Sequence, residues 1–194
     1  MSTFVLVHGA WHGGWCWQKL TPVLEAAGHR VLTPDLPGRG PEAKGLSGLT
    51  LDDYADFLSF TLAAENEPVI LVGHSLGGAV ITQAAEFCSS DVGLLVYLAA
   101  YIPSDGESVA EWALNDVDSL LGKYMEVDWN GGALRLDAAG SIECLYEDCS
   151  TVDQAYAISH LSDEPLAPVA QPLCLSAGWG DRLPAVYVEC LRDQ

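Results

Sequence analysis

Gly73-His74-Ser75-Leu76-Gly77 sets a serine between two glycines, with the apolar run 69–72 directly before it and small and apolar residues directly after it. A serine in this setting is a candidate nucleophile for acyl transfer. The chain must turn sharply between a strand and a helix, and the flanking glycines remove side chains that would collide at the turn. Such a turn displays the hydroxyl above a sheet, at the amino end of a helix, where developing negative charge is favoured. The same five residues also occur as an ordinary structural turn. The strand before them, the helix after them and a second loop, His8-Gly9-Ala10, favour the chemical reading. Attack on an acyl carbon creates an oxyanion that needs two fixed donors, and the backbone N–H groups of Ala10 and Leu76 are in the right contexts to supply them. Gly9 is equally read as a tight turn, and the turn would itself aim the amide.

A serine of ordinary acidity needs a base, and the base an orienting carboxylate. In chains of this topology the order is serine, acid, histidine. Asp193, just past an apolar strand near the end of the chain, is the acid candidate; the alternative is a terminal carboxylate without a role. Only Gln194 follows it, so no histidine comes after the acid. Of the five histidines, His8 belongs to the oxyanion loop, His74 precedes the nucleophile and is expected to point the opposite way, and His29 starts a strand. His12 is read as lining a pocket or as loop packing, and His160 as a surface helix residue, with replacement base as its alternative role.

The elements that must position these residues alternate between strand-length apolar runs and longer helical periods, the pattern of an α/β fold with a mostly parallel sheet and flanking helices. Strands are expected at residues 4–7, 29–33, 69–72, 93–100 and 182–190. The run 93–100 shows no apolar alternation and reads as buried on both faces, and 182–190 reads as one more core strand. Helices are expected at residues 17–27, ended by Gly28; from Leu51 after a Thr50 cap; and from about 79 to 87. Residues 101–167 change character, acidic and dotted with tryptophan, with short helical pieces near 109–114, 141–146 and 152–161. An excursion of this length needs structure of its own. The division that follows is a core of residues 1–102 and 168–194, with a cap insertion at 103–167. Cap residues Trp112, Tyr124, Met125 and Trp129, with His12, are the candidate substrate-binding side chains.

Composition narrows the partners. Eight Lys and Arg against 27 Asp and Glu give a formal charge of −19, which disfavours nucleic acid and anionic membranes. The 49% apolar content among 194 residues is enough for a single buried core. The sequence lacks both an apolar run of membrane-spanning length and a basic leader before its first apolar stretch, so a cytoplasmic location is expected. The six cysteines show no metal-binding spacing, and most read as free thiols; Cys144 and Cys149 alone are near enough in sequence for a local bridge.

The segments FVLVHGAWHGGWCW, LEAAGHRVLTPDLPGRG and LVGHSLGGAVI resemble the α/β-hydrolase superfamily, in its branch of plant methylesterases, hydroxynitrile lyases and bacterial esterase relatives. The likeness runs from Phe4 to Asp193 and is strongest before Ala100. It implies a Ser–Asp–His triad, a helical cap and no cofactor. Matched by position, Ser75 is the nucleophile, Asp193 the acid, and Ala10 and Leu76 the oxyanion amides. The lyases of this branch carry Thr directly after the first-loop His, whereas Gly9 is what the ester-cleaving members have. Members continue past the acid with a helix, a last strand, the catalytic His and a final helix. This chain resembles one cut just after the acid, so in this form it is expected to be a weak or inactive esterase. The implied function is carboxylic-ester hydrolysis through an acyl-enzyme on Ser75, acting on a small neutral ester, with a homodimer as the candidate assembly. The alternatives are a non-catalytic small-molecule binder of the same fold and a hydroxynitrile lyase-like enzyme.

Overall fold

A computed structural model describes residues 1–39, 46 and 48–191. The chain runs β1 (Thr3–Val7), α1 (Thr21–Ala26), β2 (Arg30–Leu32), α2 (Leu51–Ala63), β3 (Val69–Ser75), α3 (Leu76–Phe87) and β4 (Val92–Ala100). It continues through α4 (Val109–Asn115), α5 (Leu121–Tyr124), β5 (Met125–Asp128), β6 (Ala133–Leu136), α6 (Ala138–Leu145), α7 (Thr151–His160), β7 (Glu164–Pro165) and α8 (Leu166–Ala170) to β8 (Ala185–Val188). The main sheet has the order β2-β1-β3-β4-β8, with every pairing parallel.

Alternation along the strands builds two layers of unequal depth. Val5, Val7 and Leu71 pack with α2 and α3 into the larger apolar cluster, while Leu6 and Val72 face Trp17 on the other side. Helix α2 buries Leu51, Tyr54, Ala55, Leu58 and Leu62, the i, i+3, i+4, i+7 stripe of a core-facing helix. Its start is fixed by a capping box: Thr50 Oγ1 accepts from the Asp53 N–H, and the Asp53 carboxylate accepts from the Thr50 N–H. Gly28 ends α1 at φ 86°, but the expected helix 17–27 is divided, because Gly14–Trp17 forms a 3₁₀ turn and Pro22 restarts the chain in α1.

Three further expectations are corrected. Strand β4 is not buried evenly: Leu95 and Tyr97 are buried, whereas Val96 and Leu98 are half-buried on the thinner face. The strand at the end of the chain forms, yet Ala185, Val186, Tyr187 and Val188 are all exposed, since β8 pairs only with β4 at the sheet's edge. The segment 103–167 is not purely helical, because β5, β6 and β7 form a separate antiparallel sheet. Short polar-apolar pieces such as MEVD and ALRL carry too little local signal to reveal a pairing made across a turn. All six cysteines are free, Cys144 and Cys149 included. Among the described residues no helix is long and apolar enough to cross a membrane.

Candidate active site

Strand β3 delivers Ser75 to the carboxyl end of the sheet and α3 starts at the next residue. Ser75 stands at φ 53°, ψ −123°, a region that L residues occupy only under constraint. The constraint is visible as crowding. A Cβ on Gly73 would lie 2.4 Å from the Gly77 carbonyl oxygen; one on Gly77 would lie 2.8 Å from those of Val7 and His8; one on Gly78 would lie 2.4 Å from that of Tyr101. The first turn of α3 is therefore pressed between the ends of β1 and β4, and only glycine fits. Strand β4 yields as well: its register slips between His74↔Leu98 and Ser75↔Ala100, and the skipped Ala99 takes φ 39°. Thr50, Ser108 and Ser150 each cap a helix with the hydroxyl, but Ser75 makes no such bond from its own side chain. Its oxygen is thus not committed to the helix it precedes.

The loop after β1 closes on this serine. A Cβ on Gly9 would stand 2.9 Å from the Ser75 Cβ and 3.1 Å from the His74 carbonyl oxygen, so Gly9 permits the approach. The structure thereby brings together Ser75, the Gly9–Ala10 loop and Leu76 at the start of α3. Leu76, as the first helical residue, has no intrahelical acceptor for its N–H. The carbonyls of the loop are tied down. That of Gly9 accepts from His8 Nδ1 at 2.9 Å, and that of Ala10 accepts from His12 Nδ1 at 2.6 Å. His8 Nε2 accepts the Leu36 N–H at 3.1 Å, and His12 Nε2 accepts from the Tyr146 hydroxyl. Both imidazoles have a donor on one nitrogen and an acceptor on the other, the neutral form. Burial drives them the same way, lowering His8 to about 3 and His12 to about 4. Burial lowers His74 to about 4, and its ring lies edge-on to those of His12 and Trp17.

Trp11 follows at φ 63° and is held at both backbone polar groups and at its indole. Its N–H donates to Glu164 Oε2 at 2.9 Å, its carbonyl accepts from the Ser162 N–H at 3.0 Å, and its indole donates to the Leu134 carbonyl at 3.0 Å. Glu164 is buried, paired with Arg39 and bonded by the Tyr54 hydroxyl at 3.1 Å. Burial pushes its carboxyl upward, against the Arg39 charge and the Trp11 N–H. Tyr54 and Glu164 lie in no motif, and Arg39, though within LEAAGHRVLTPDLPGRG, has no role assigned there. The one available signal was two charged residues in otherwise turn-like sequence, and their pairing spans 125 positions.

The other proposed site residues are more scattered. His12 sits in the loop, stacked on Trp15 at 5.3 Å. Met125 packs against the main core. Tyr124 donates to Glu143, while Trp112 is half exposed and donates to Glu107. Trp129 is 78% exposed, beside a groove shared with Gly48 and Leu166. His160 is exposed at the end of α7, stacked on Tyr156 at 4.1 Å. A cavity of about 140 Å³ lies between Trp11 and Leu136, Ser141 and Leu161 of the segment 103–167. Asp193 lies outside the described residues. Among those described, no group of three or more His, Cys, Asp or Glu is placed to hold a metal ion.

Residues 4–194 match the alpha/beta hydrolase family, to which the chain belongs. It is 50% identical over 112 residues to the carbendazim hydrolyzing esterase of Nocardioides sp. (strain SG-4G), a match covering 56% of this chain and 46% of that esterase. Against norfluorocurarine synthase 1 of Strychnos nux-vomica it is 34% identical, covering 98% of this chain and 77% of the synthase. The fold superposes on a pyrethroid hydrolase from Sphingobium faniae JZ-2 with a TM-score of 0.84 at 27% identity, covering 98% of this chain and 78% of the other. The chain thus spans about half the length of the bacterial esterase that it matches.

Proposed function

We propose that this chain carries the nucleophile and oxyanion half of a serine carboxylic-ester hydrolase of methylesterase type. The observation that supports it is the conformation of Ser75, strained at the β3–α3 junction with its hydroxyl not used as a cap and the Gly9–Ala10 loop against its Cβ. In the first step Ser75 Oγ bonds to the acyl carbon, and the Ala10 and Leu76 amides take the charge that develops on the carbonyl oxygen. The ester C–O bond then breaks, the alcohol leaves with a proton, and water releases the acyl group from Ser75. The serine proton needs a base that neither His8 nor His12 can provide, since both nitrogens of each ring are engaged. The resemblance places that histidine after Asp193, the carboxylate that would orient it. Segment 103–167 would serve as the cap over the acyl site, and the formal charge of −19 favours neutral over anionic esters.

A second reading, a pocket that binds a small molecule without turning it over, draws on that same commitment of the loop histidines. A fluorophosphonate probe and 4-nitrophenyl acetate, applied to the chain and to a form continued by the C-terminal segment of a methylesterase relative, separate the two. Labelling at Ser75 and turnover in the continued form, both lost in Ser75→Ala, are expected for the hydrolase. Ligand binding with neither labelling nor turnover in either form would establish the binder instead.

A further inference from the structure

The strip Ser162–Glu164, remote in sequence from the nucleophile, grips the loop on which the ester-hydrolase reading depends. Glu164 Oε2 accepts the Trp11 N–H at 2.9 Å, and the Ser162 N–H donates to the Trp11 carbonyl at 3.0 Å, so one short stretch brackets one residue. The other end of the Ala10–Trp11 peptide is held too, its carbonyl accepting from His12 Nδ1 at 2.6 Å. With both its N–H and its C=O tied, that peptide plane cannot rotate, although Trp11 is held at φ 63° where a bulky side chain is strained. Released, Trp11 would relax toward ordinary backbone angles and carry residue 10 with it.

The carboxylate is itself locked. Its Oε1 accepts from Tyr54 on α2, and its Oε2 meets Arg39, whose Nη1 also donates to Ser162 Oγ at 2.8 Å and to the Asp163 carbonyl. Stability alone does not account for this arrangement. A buried ion pair is often no better than apolar residues of the same volume, and here the buried Arg39 Nε has no partner among the described residues. We infer that Glu164, held by Arg39 and Tyr54, is a positioning residue that fixes the Ala10–Trp11 peptide and so keeps the Ala10 N–H aimed at the oxyanion before substrate arrives. The inference rests on the ester-hydrolase reading for its catalytic consequence. It also makes β7, within the segment 103–167, part of the oxyanion geometry, because a shift of Glu164 would pull on Trp11.

Two double variants remove the charges together and differ only in whether an acceptor for the Trp11 N–H remains. Arg39→Met/Glu164→Leu deletes it, and Arg39→Met/Glu164→Gln keeps an amide oxygen there. Deuterium exchange at the Trp11 amide should speed up at least ~10-fold in the Leu double and stay within about 3-fold of the parent in the Gln double. In the form that shows Ser75-dependent turnover, kcat should fall ~10- to 100-fold in the Leu double with KM within about 3-fold, and should recover in the Gln double. Tyr54→Phe, which frees one carboxylate oxygen and leaves both charges, should give a smaller acceleration of exchange, about 3-fold. It supplies the readout should either double fail to fold. Unchanged exchange at Trp11, or a kcat loss equal in both doubles and proportional to lost stability, would overturn the proposal. Absence of any Ser75-dependent turnover in both the chain and its continued form would instead sink the ester-hydrolase reading, while the exchange data would still decide whether Glu164 holds the loop.

Discussion

The ends of β1, β3 and β4 around Ser75 and the strand β8 at the edge of the same sheet are built under opposite rules. At the first, backbone meets backbone on every side: Gly73, Gly77 and Gly78 each have a carbonyl oxygen within 2.8 Å of where a Cβ would be, and Ser75 and Ala99 take positive φ. At the second, Val186, Tyr187 and Val188 remain 42–52% exposed and pair on one side only. Strain can be stored only where neighbours over-determine a conformation, so the proposed nucleophile sits where backbone crowds backbone. The edge strand can store none.

Acidification should break the contrast most strongly. His8 and His12, buried and neutral, have folded-state values of about 3 and about 4 against 6.5 in the unfolded chain, so the unfolded state binds their protons first. The stability this confers is full above pH 6.5 and is lost as pH falls from there toward 4 for His12 and 3 for His8, together on the order of 5 kcal/mol by pH 4.5. Urea titrations at pH 7, 5.5 and 4.5 measure it, and a midpoint that does not move across that range would contradict the neutral, buried assignment. Gly73→Ala should come next, at about 3 kcal/mol or more, because the Gly77 carbonyl is backbone and cannot step aside. Thermal unfolding tests it, and a loss under about 1 kcal/mol would mean that the junction is looser than described.

Ser75→Gly should have the opposite sign. Removing the side chain from φ 53° relieves roughly 1 kcal/mol of strain, while fluorophosphonate labelling disappears. A destabilised variant would show that Ser75 is not strained. The smallest effect is expected at the edge, where Val186→Thr should change stability by less than about 0.5 kcal/mol, since half of that side chain already meets water. A loss above about 1 kcal/mol would show that β8 is covered in solution.

Legibility in the sequence follows the same division. The elbow was readable because each of its requirements is local: an apolar strand, glycines at fixed offsets from Ser75, then a helix of small residues. Thr50 was readable for the same reason, its cap bond closing over three residues. The Glu164 clamp was not, because Arg39, Tyr54 and Glu164 are ordinary residues until the fold joins them. The antiparallel sheet of β5, β6 and β7 and the exposure of β8 also escaped, since burial and pairing belong to neighbours distant in the chain.

From residue types and spacing alone came the α/β class, the parallel strands, the identity of the nucleophile candidate and the loop expected to face it. Those follow from backbone sterics, which act between residues a few positions apart. Tertiary structure decided the neutral, doubly bonded state of His8 and His12, the orientation of the Ala10–Trp11 peptide and the carboxylate that pins it. Hydrogen bonds and desolvation are set by whatever the fold brings within about 3 Å, and no local pattern encodes that.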